Sequence, residues 1–139
     1  MTCTRFGPGP RQYTPRPQKF ARYNTILNSN PTSVAVLTHA FAPVLRPATS
    51  PEVINASSGL GSMRNALTCN MGSVPAYGAS KVGMNGLSMH LQVEESDCVA
   101  SGVRAEEPKI KRFVVAPGLL RTFFTGYSDK GREPNEAAK

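Results

Sequence analysis

Apolar residues recur along this chain with two different periods, and the change between them marks out its elements. Val34, Leu37, Phe41 and the Val44/Leu45 pair are spaced i, i+3, i+7 and i+10/11. That spacing predicts a helix whose apolar stripe packs against something. Asn30 is placed to cap it, Pro31 suits its first position, and Pro43 and Pro47 limit its far end. Residues 53–56 form a short β-prone stretch that runs into a Ser/Gly-rich loop, as a buried parallel strand and its functional carboxyl end do. Residues 59–75, with Gly59, Gly61, Asn65, Asn70, Gly72 and Pro75, read as a loop. A second helix is expected over 76–94. Its apolar residues, Val82, Met84, Leu87, Leu91 and Val93, lie on more than one face. Gly83 and Gly86 weaken it but allow another helix to approach closely. Such a helix is deeply buried or forms half of a subunit interface. Residues 96–109 read as a polar connection, and 111–118 as a second strand ending in a Pro-Gly turn. Helix, strand, helix, strand makes a βαβ unit and implies a parallel sheet. The tail over 127–139 is polar and without strong periodicity.

Composition changes this picture at one end. The net charge is +7. Residues 1–24 hold five basic groups and no acid, while the remaining 115 residues hold eleven basic and nine acidic groups. The basic excess therefore belongs to a leading segment that also carries Pro8, Pro10, Pro15 and Pro17. That density of proline reads as a disordered arm over 1–24. Phe6, Tyr13, Phe20 and Tyr23 within it could stack on bases, yet a solvated tail with no nucleic-acid partner is the expectation. Apolar runs fall well short of the roughly 18 residues that span a bilayer, so no membrane association is expected. Residues 1–10 lack an apolar stretch, which argues against a secretory signal. Three cysteines without a CxxC and two histidines support neither a disulfide scaffold nor a metal site. A reducing, cytoplasmic setting is the default.

Four constellations carry candidate chemistry. Tyr77 and Lys81, in Tyr77-Gly78-Ala79-Ser80-Lys81, share one helix face. A cation beside a phenol favours the phenolate, which makes a tyrosine usable as an acid/base; alone, the pair also fits an inert helix-face contact. Asn55-Ala56-Ser57-Ser58 ends the first strand, where a hydroxyl can hold a substrate carbonyl or merely close a turn. Strand alternation points only one of Ser57 and Ser58 inward. Asn30 stands at a helix start, and Pro117-Gly118-Leu119-Leu120-Arg121-Thr122 follows the second strand.

In this order the four resemble the short-chain dehydrogenase/reductase family, whose pattern is an asparagine, N-x-S-S, Y-x-x-x-K and a strand ending in P-G. The resemblance covers about residues 25–126 and leaves 127–139 as a tail. It implies interconversion of a small-molecule carbonyl and an alcohol by hydride transfer with NADP or NAD. By position it makes Tyr77 the general acid/base, Lys81 the partner of the phenol and of the ribose hydroxyls, and Ser58, three residues after the asparagine, the carbonyl ligand. Asn30 would hold a water in the proton relay, and Pro117, Gly118 and Thr122 would line the nicotinamide end. Homo-oligomers, or association with a full-length relative through the helix over 77–94, are also implied.

The family's dinucleotide half has no counterpart. TGxxxGxG is absent, and Gly7 and Gly9 sit among prolines with no strand before them, which does not make a phosphate-cradling turn. The expected fold is therefore α/β: a partial, truncated Rossmann-type parallel sheet with flanking helices. The expected activity is that of an impaired or inactive copy that keeps its catalytic residues.

Overall fold

The computed structural model describes residues 16–68 and 74–137. It opens on one continuous helical run: α1 (Arg16–Leu27), a π-helical turn (Asn28–Thr32) and α2 (Ser33–Leu45). Two expectations change here. Residues 16–24 of the arm expected over 1–24 are helix, and residues 1–15 lie outside the described part. Pro17 falls in the first turn of α1, where a missing N–H breaks no intrahelical bond. Asn30 does not cap a helix; it lies within the π turn, and the flanking Leu27 and Ser33 are helical. The reason is Pro31, inside the same turn. A proline ring clashes with the carbonyl four residues back, and widening the helix by one residue per turn relieves the clash without ending the helix. Pro43 likewise sits inside α2, not beyond its end.

β1 (Glu52–Ala56) follows, then a 3₁₀ turn (Gly59–Gly61) and α3 (Met63–Thr68). The loop expected over 59–75 thus contains two short helical turns, and residues 69–73 lie outside the description. α4 (Pro75–Ala100) is longer than predicted and takes in the start of the expected connection. It leads to β2 (Lys111–Val115), which pairs with β1 in parallel register from Glu52–Lys111 to Ala56–Val115. This is the partial parallel sheet with flanking helices that the pattern implied.

α4 covers one face of the sheet. Ala76, Met84 and Leu91 on it are buried, as is Ile110 just before β2. Much of its docking is polar: Asn55 Nδ2 donates to Ser88 Oγ at 2.8 Å, and the Arg112 backbone N–H donates to Gln92 Oε1 at 2.7 Å. At the amino end of the sheet, buried Glu95 takes both Arg46 guanidinium nitrogens at 2.9 and 3.1 Å, Arg104 at 3.2 Å and the Ile110 N–H at 3.3 Å. Burial pushes the Glu95 carboxyl upward, but those donors prevail and hold it below its usual range.

The α2 stripe is not covered as expected. Leu37 is 52%, Phe41 56% and Val44 74% exposed. They line an apolar groove of about 270 Å³ between α2 and β1. Among the described residues β1 pairs with β2 alone, so no described strand fills that groove. The sheet face carrying Ile54, Phe113 and Val115 is exposed as well.

After β2 the chain folds back on itself. Leu120 bridges Arg132, and a short α5 (Pro134–Ala137) ends the described part. The tail read as featureless is thus anchored: a Cβ at Gly131 would stand 2.7 Å from the Leu120 and Arg121 backbone, so only glycine permits the approach.

Candidate active site

Ligands of open parallel sheets gather at the carboxyl ends of the strands. Here those ends are adjacent, because pairing continues one step past the strands: the Ser57 N–H donates to the Val115 carbonyl at 2.7 Å. Ser58 leaves β1 and Pro117-Gly118 leaves β2 from this common edge.

The structure gives the adjacent serines different surroundings. Ser57 is buried and donates to Asn85 Oδ1 at 2.6 Å. Ser58 is half-buried and caps the 3₁₀ turn, its hydroxyl accepting from the Leu60 N–H at 3.3 Å. Asn85 also donates to the Gly61 carbonyl at 3.1 Å, so one amide on α4 fixes both sides of the Ser58 loop. Sequence reasoning did not find Asn85. Its signal was the polar residue one helical turn beyond Lys81, on the same face.

Lys81 is placed by α4 at the same edge. Only 8% exposed, it donates to the Ala56 carbonyl, the last of β1, at 2.8 Å. Its ammonium stands 5.6 Å from the centre of the Tyr77 ring, within cation–π reach. Burial pushes the Lys81 pKa down. One carbonyl takes one of three ammonium N–H groups, and Met84 Sδ at 3.9 Å is a weak acceptor. Donors therefore remain for hydroxyl oxygens at this edge.

Asn30 reaches α4 from the π turn. Its Nδ2 donates to Ser80 Oγ at 2.8 Å, and Ser80 donates to the Tyr77 carbonyl at 2.7 Å. Asn30 thus braces the turn that bears Tyr77. Among the described residues no hydrogen bond joins the Asn30, Ser58 and Tyr77 side chains directly. Gly118 takes φ 86°, a left-handed turn natural to glycine. The Pro117 carbonyl accepts from Arg132 at 2.8 Å. Thr122 caps the turn Phe123–Thr125 in a reciprocal capping box with Thr125. So the structure brings Lys81 to the end of β1 beside the Tyr77 ring and leaves Ser58 in the loop that Asn85 holds at Ser57 and Gly61, while Thr122 is engaged in its own turn.

The residues present suit a nicotinamide cofactor at one end only. A buried ammonium with donors to spare fits a ribose diol. The sequence offers no glycine-rich strand-to-helix turn for the pyrophosphate.

A parallel strand pair with a Tyr–Lys helix against its carboxyl edge is the βαβ unit of an α/β protein. The chain belongs to the short-chain dehydrogenase/reductase family of oxidoreductases: the family model for short chain dehydrogenase matches residues 15–133. That match takes in all of α1. A short-chain dehydrogenase/reductase of Aspergillus fumigatus is 52% identical over 120 residues. The alignment covers 86% of this chain and 46% of the relative, so the chain spans about half the length of the curated relative it matches. No solved structure matches the chain.

Proposed function

We propose that these residues are the catalytic half of an NAD(P)-dependent oxidoreductase that interconverts a small-molecule carbonyl and an alcohol. The observation that carries this reading is the Lys81 ammonium, buried at the end of β1 and against the Tyr77 ring. Tyr77 gives its phenolic proton to the substrate oxygen on reduction and takes it back on oxidation. Lys81 supplies positive charge beside that phenol as the proton moves. Ser58 orients the carbonyl from the strand end. Asn30 braces Tyr77 through Ser80 and holds a water for proton exchange with solvent. Pro117 and Gly118 shape the nicotinamide end, with Thr122 at its margin. NADP or NAD, when bound, supplies or accepts the hydride.

The 139-residue chain by itself has weak dinucleotide affinity and little turnover, because nothing in its sequence cradles a pyrophosphate. Fluorescence titration with NADH and NADPH tests this; saturation at micromolar concentrations overturns it. Carbonyl reduction is tested in a chimera that joins residues 16–137 to the part of the Aspergillus relative outside the aligned stretch. Tyr77→Phe and Lys81→Met each lower its turnover by about 100-fold or more. Turnover undiminished in Tyr77→Phe removes the proposal.

A second reading has its own observation. Met89 and Val93 on α4 are largely exposed, and nothing lies within 4 Å of a Cβ added at Gly86. That open apolar face suits association with a full-length relative through the helix over 77–94, without catalysis by this chain. Light scattering of the mixture, with and without Met89→Asp/Val93→Asp, tests it.

A further inference from the structure

A cleft of about 280 Å³ lies between α1 and the beginning of α4, and Tyr77 forms part of its wall. Its other lining includes Lys19, Arg22, Tyr23 and Ile26 from α1 and Val74 from the approach to α4. Lys19, Arg22, Tyr23 and Ile26 are spaced i, i+3, i+4 and i+7, one face of one helix. The wall is therefore mostly apolar or aromatic, with two cations at its rim.

The charge on its lining has one sign. α1 contains no acidic residue, and the first turn of α4 contains none. Neither Lys19 nor Arg22 enters an ion pair among the described residues. The amino end of α4 opens on the same space. That helix is 26 residues long and has no side-chain cap at Val74, so its dipole adds to the positive potential. A cleft lined by one sign of charge and apolar walls concentrates small counter-ions of matching shape.

We propose that this cleft takes the far end of the substrate: an apolar body ending in one carboxylate, bound at Lys19 and Arg22, with the reacting carbonyl toward Tyr77. The substrate class is then an oxo acid or hydroxy acid and not a neutral ketone or alcohol. The assignment of the ligand as substrate rests on the role proposed for Tyr77; binding of the acid in the cleft does not.

The probes are para-acetylbenzoate and acetophenone, which share a ketone and a ring and differ by the carboxylate. Each is titrated into the full chain while backbone amide shifts are followed by NMR. The acid shifts the amides of Lys19, Arg22, Ala76 and Tyr77 and binds about tenfold tighter than the ketone. Lys19→Gln/Arg22→Gln abolishes that preference, and the charge-keeping Lys19→Arg/Arg22→Lys retains it. Both positions are exposed, so the variants keep the fold, which circular dichroism checks. Equal affinity for the two probes, or an undiminished preference in Lys19→Gln/Arg22→Gln, overturns the proposal. The two readings fail separately. Acid preference alongside turnover that ignores Tyr77→Phe removes the reaction and keeps the cleft. Tyr77-dependent reduction with no acid preference does the reverse.

Discussion

Asn30 and Ser80 are fifty residues apart in sequence and joined by a 2.8 Å hydrogen bond. The bond ties the π turn to the helical turn that carries Tyr77 and Lys81, because the Ser80 hydroxyl in turn donates a hydrogen bond to the Tyr77 carbonyl. Asn30→Ala removes the donor but leaves Ser80 satisfied through that second bond. The expected loss is about 1 kcal/mol of stability, read from urea unfolding. In a chimera with turnover, a rate loss larger than this stability loss shows that Asn30 acts on the reaction. A loss confined to stability shows a brace alone.

Gly61 leaves no room for a side chain. A Cβ there would stand 2.9 Å from both Ser57 Oγ and Asn85 Nδ2 and 3.2 Å from the Lys81 carbonyl carbon. The two side chains are bonded to each other, and the third atom is helix backbone, so none yields freely. Gly61→Ala is expected to cost about 1–3 kcal/mol and to shift the amide resonances of Ser58 and Leu60. An unchanged unfolding midpoint would show that the Ser58 loop moves without penalty.

Phe41 reverses the usual expectation for an apolar helix stripe. Burying such a side chain is worth roughly 1.5–3 kcal/mol, but Phe41 stays more than half exposed beside an open groove. Phe41→Lys in the 139-residue chain therefore changes stability by less than about 0.5 kcal/mol and lowers self-association, measured by light scattering at rising concentration. A destabilisation of several kcal/mol would mean that the groove is filled in solution.

The strands were legible as short β-prone stretches, the second ended abruptly by Pro117-Gly118, and the long helix as an apolar-rich stretch that no proline interrupts between 76 and 94. The Tyr77–Lys81 pair was legible because four residues apart on a helix is a fixed geometry. The helical run from Arg16 through Asn30 was not. Its prolines argue for breaks, yet Pro17 falls in a first turn and Pro31 in a widened one, and both positions tolerate proline. The different surroundings of Ser57 and Ser58 depend on Asn85, whose bonds need the tertiary contact of α4 with the strand end. The uncovered α2 stripe was hidden for another reason. Periodicity reports that a face is apolar, and only the number of strands reports whether something lies over it.

The Glu95 network makes stability depend on pH in a definite direction. The folded carboxyl is held below its ordinary value of 4.5, because bonds from Arg46 and the Ile110 N–H outweigh the cost of burial. Its unfolded counterpart binds a proton more readily. The contribution is therefore fully present above about pH 4.5 and is lost as pH falls through the lower folded value. Glu95→Gln keeps an acceptor for the Ile110 N–H but takes the Glu95 carboxylate from Arg104 and from Arg46, which keeps only its more exposed pair with Glu107 at 3.3 Å. At pH 7 the variant is expected to be about 3 kcal/mol less stable, the lower end for a broken buried pair because Arg46 retains some solvent contact. The gap between wild type and variant should narrow steadily below pH 4.5, where the wild-type carboxyl also becomes neutral. Urea unfolding of both proteins across pH 3–7 measures it, and a gap independent of pH would show that Glu95 acts through shape and not through charge.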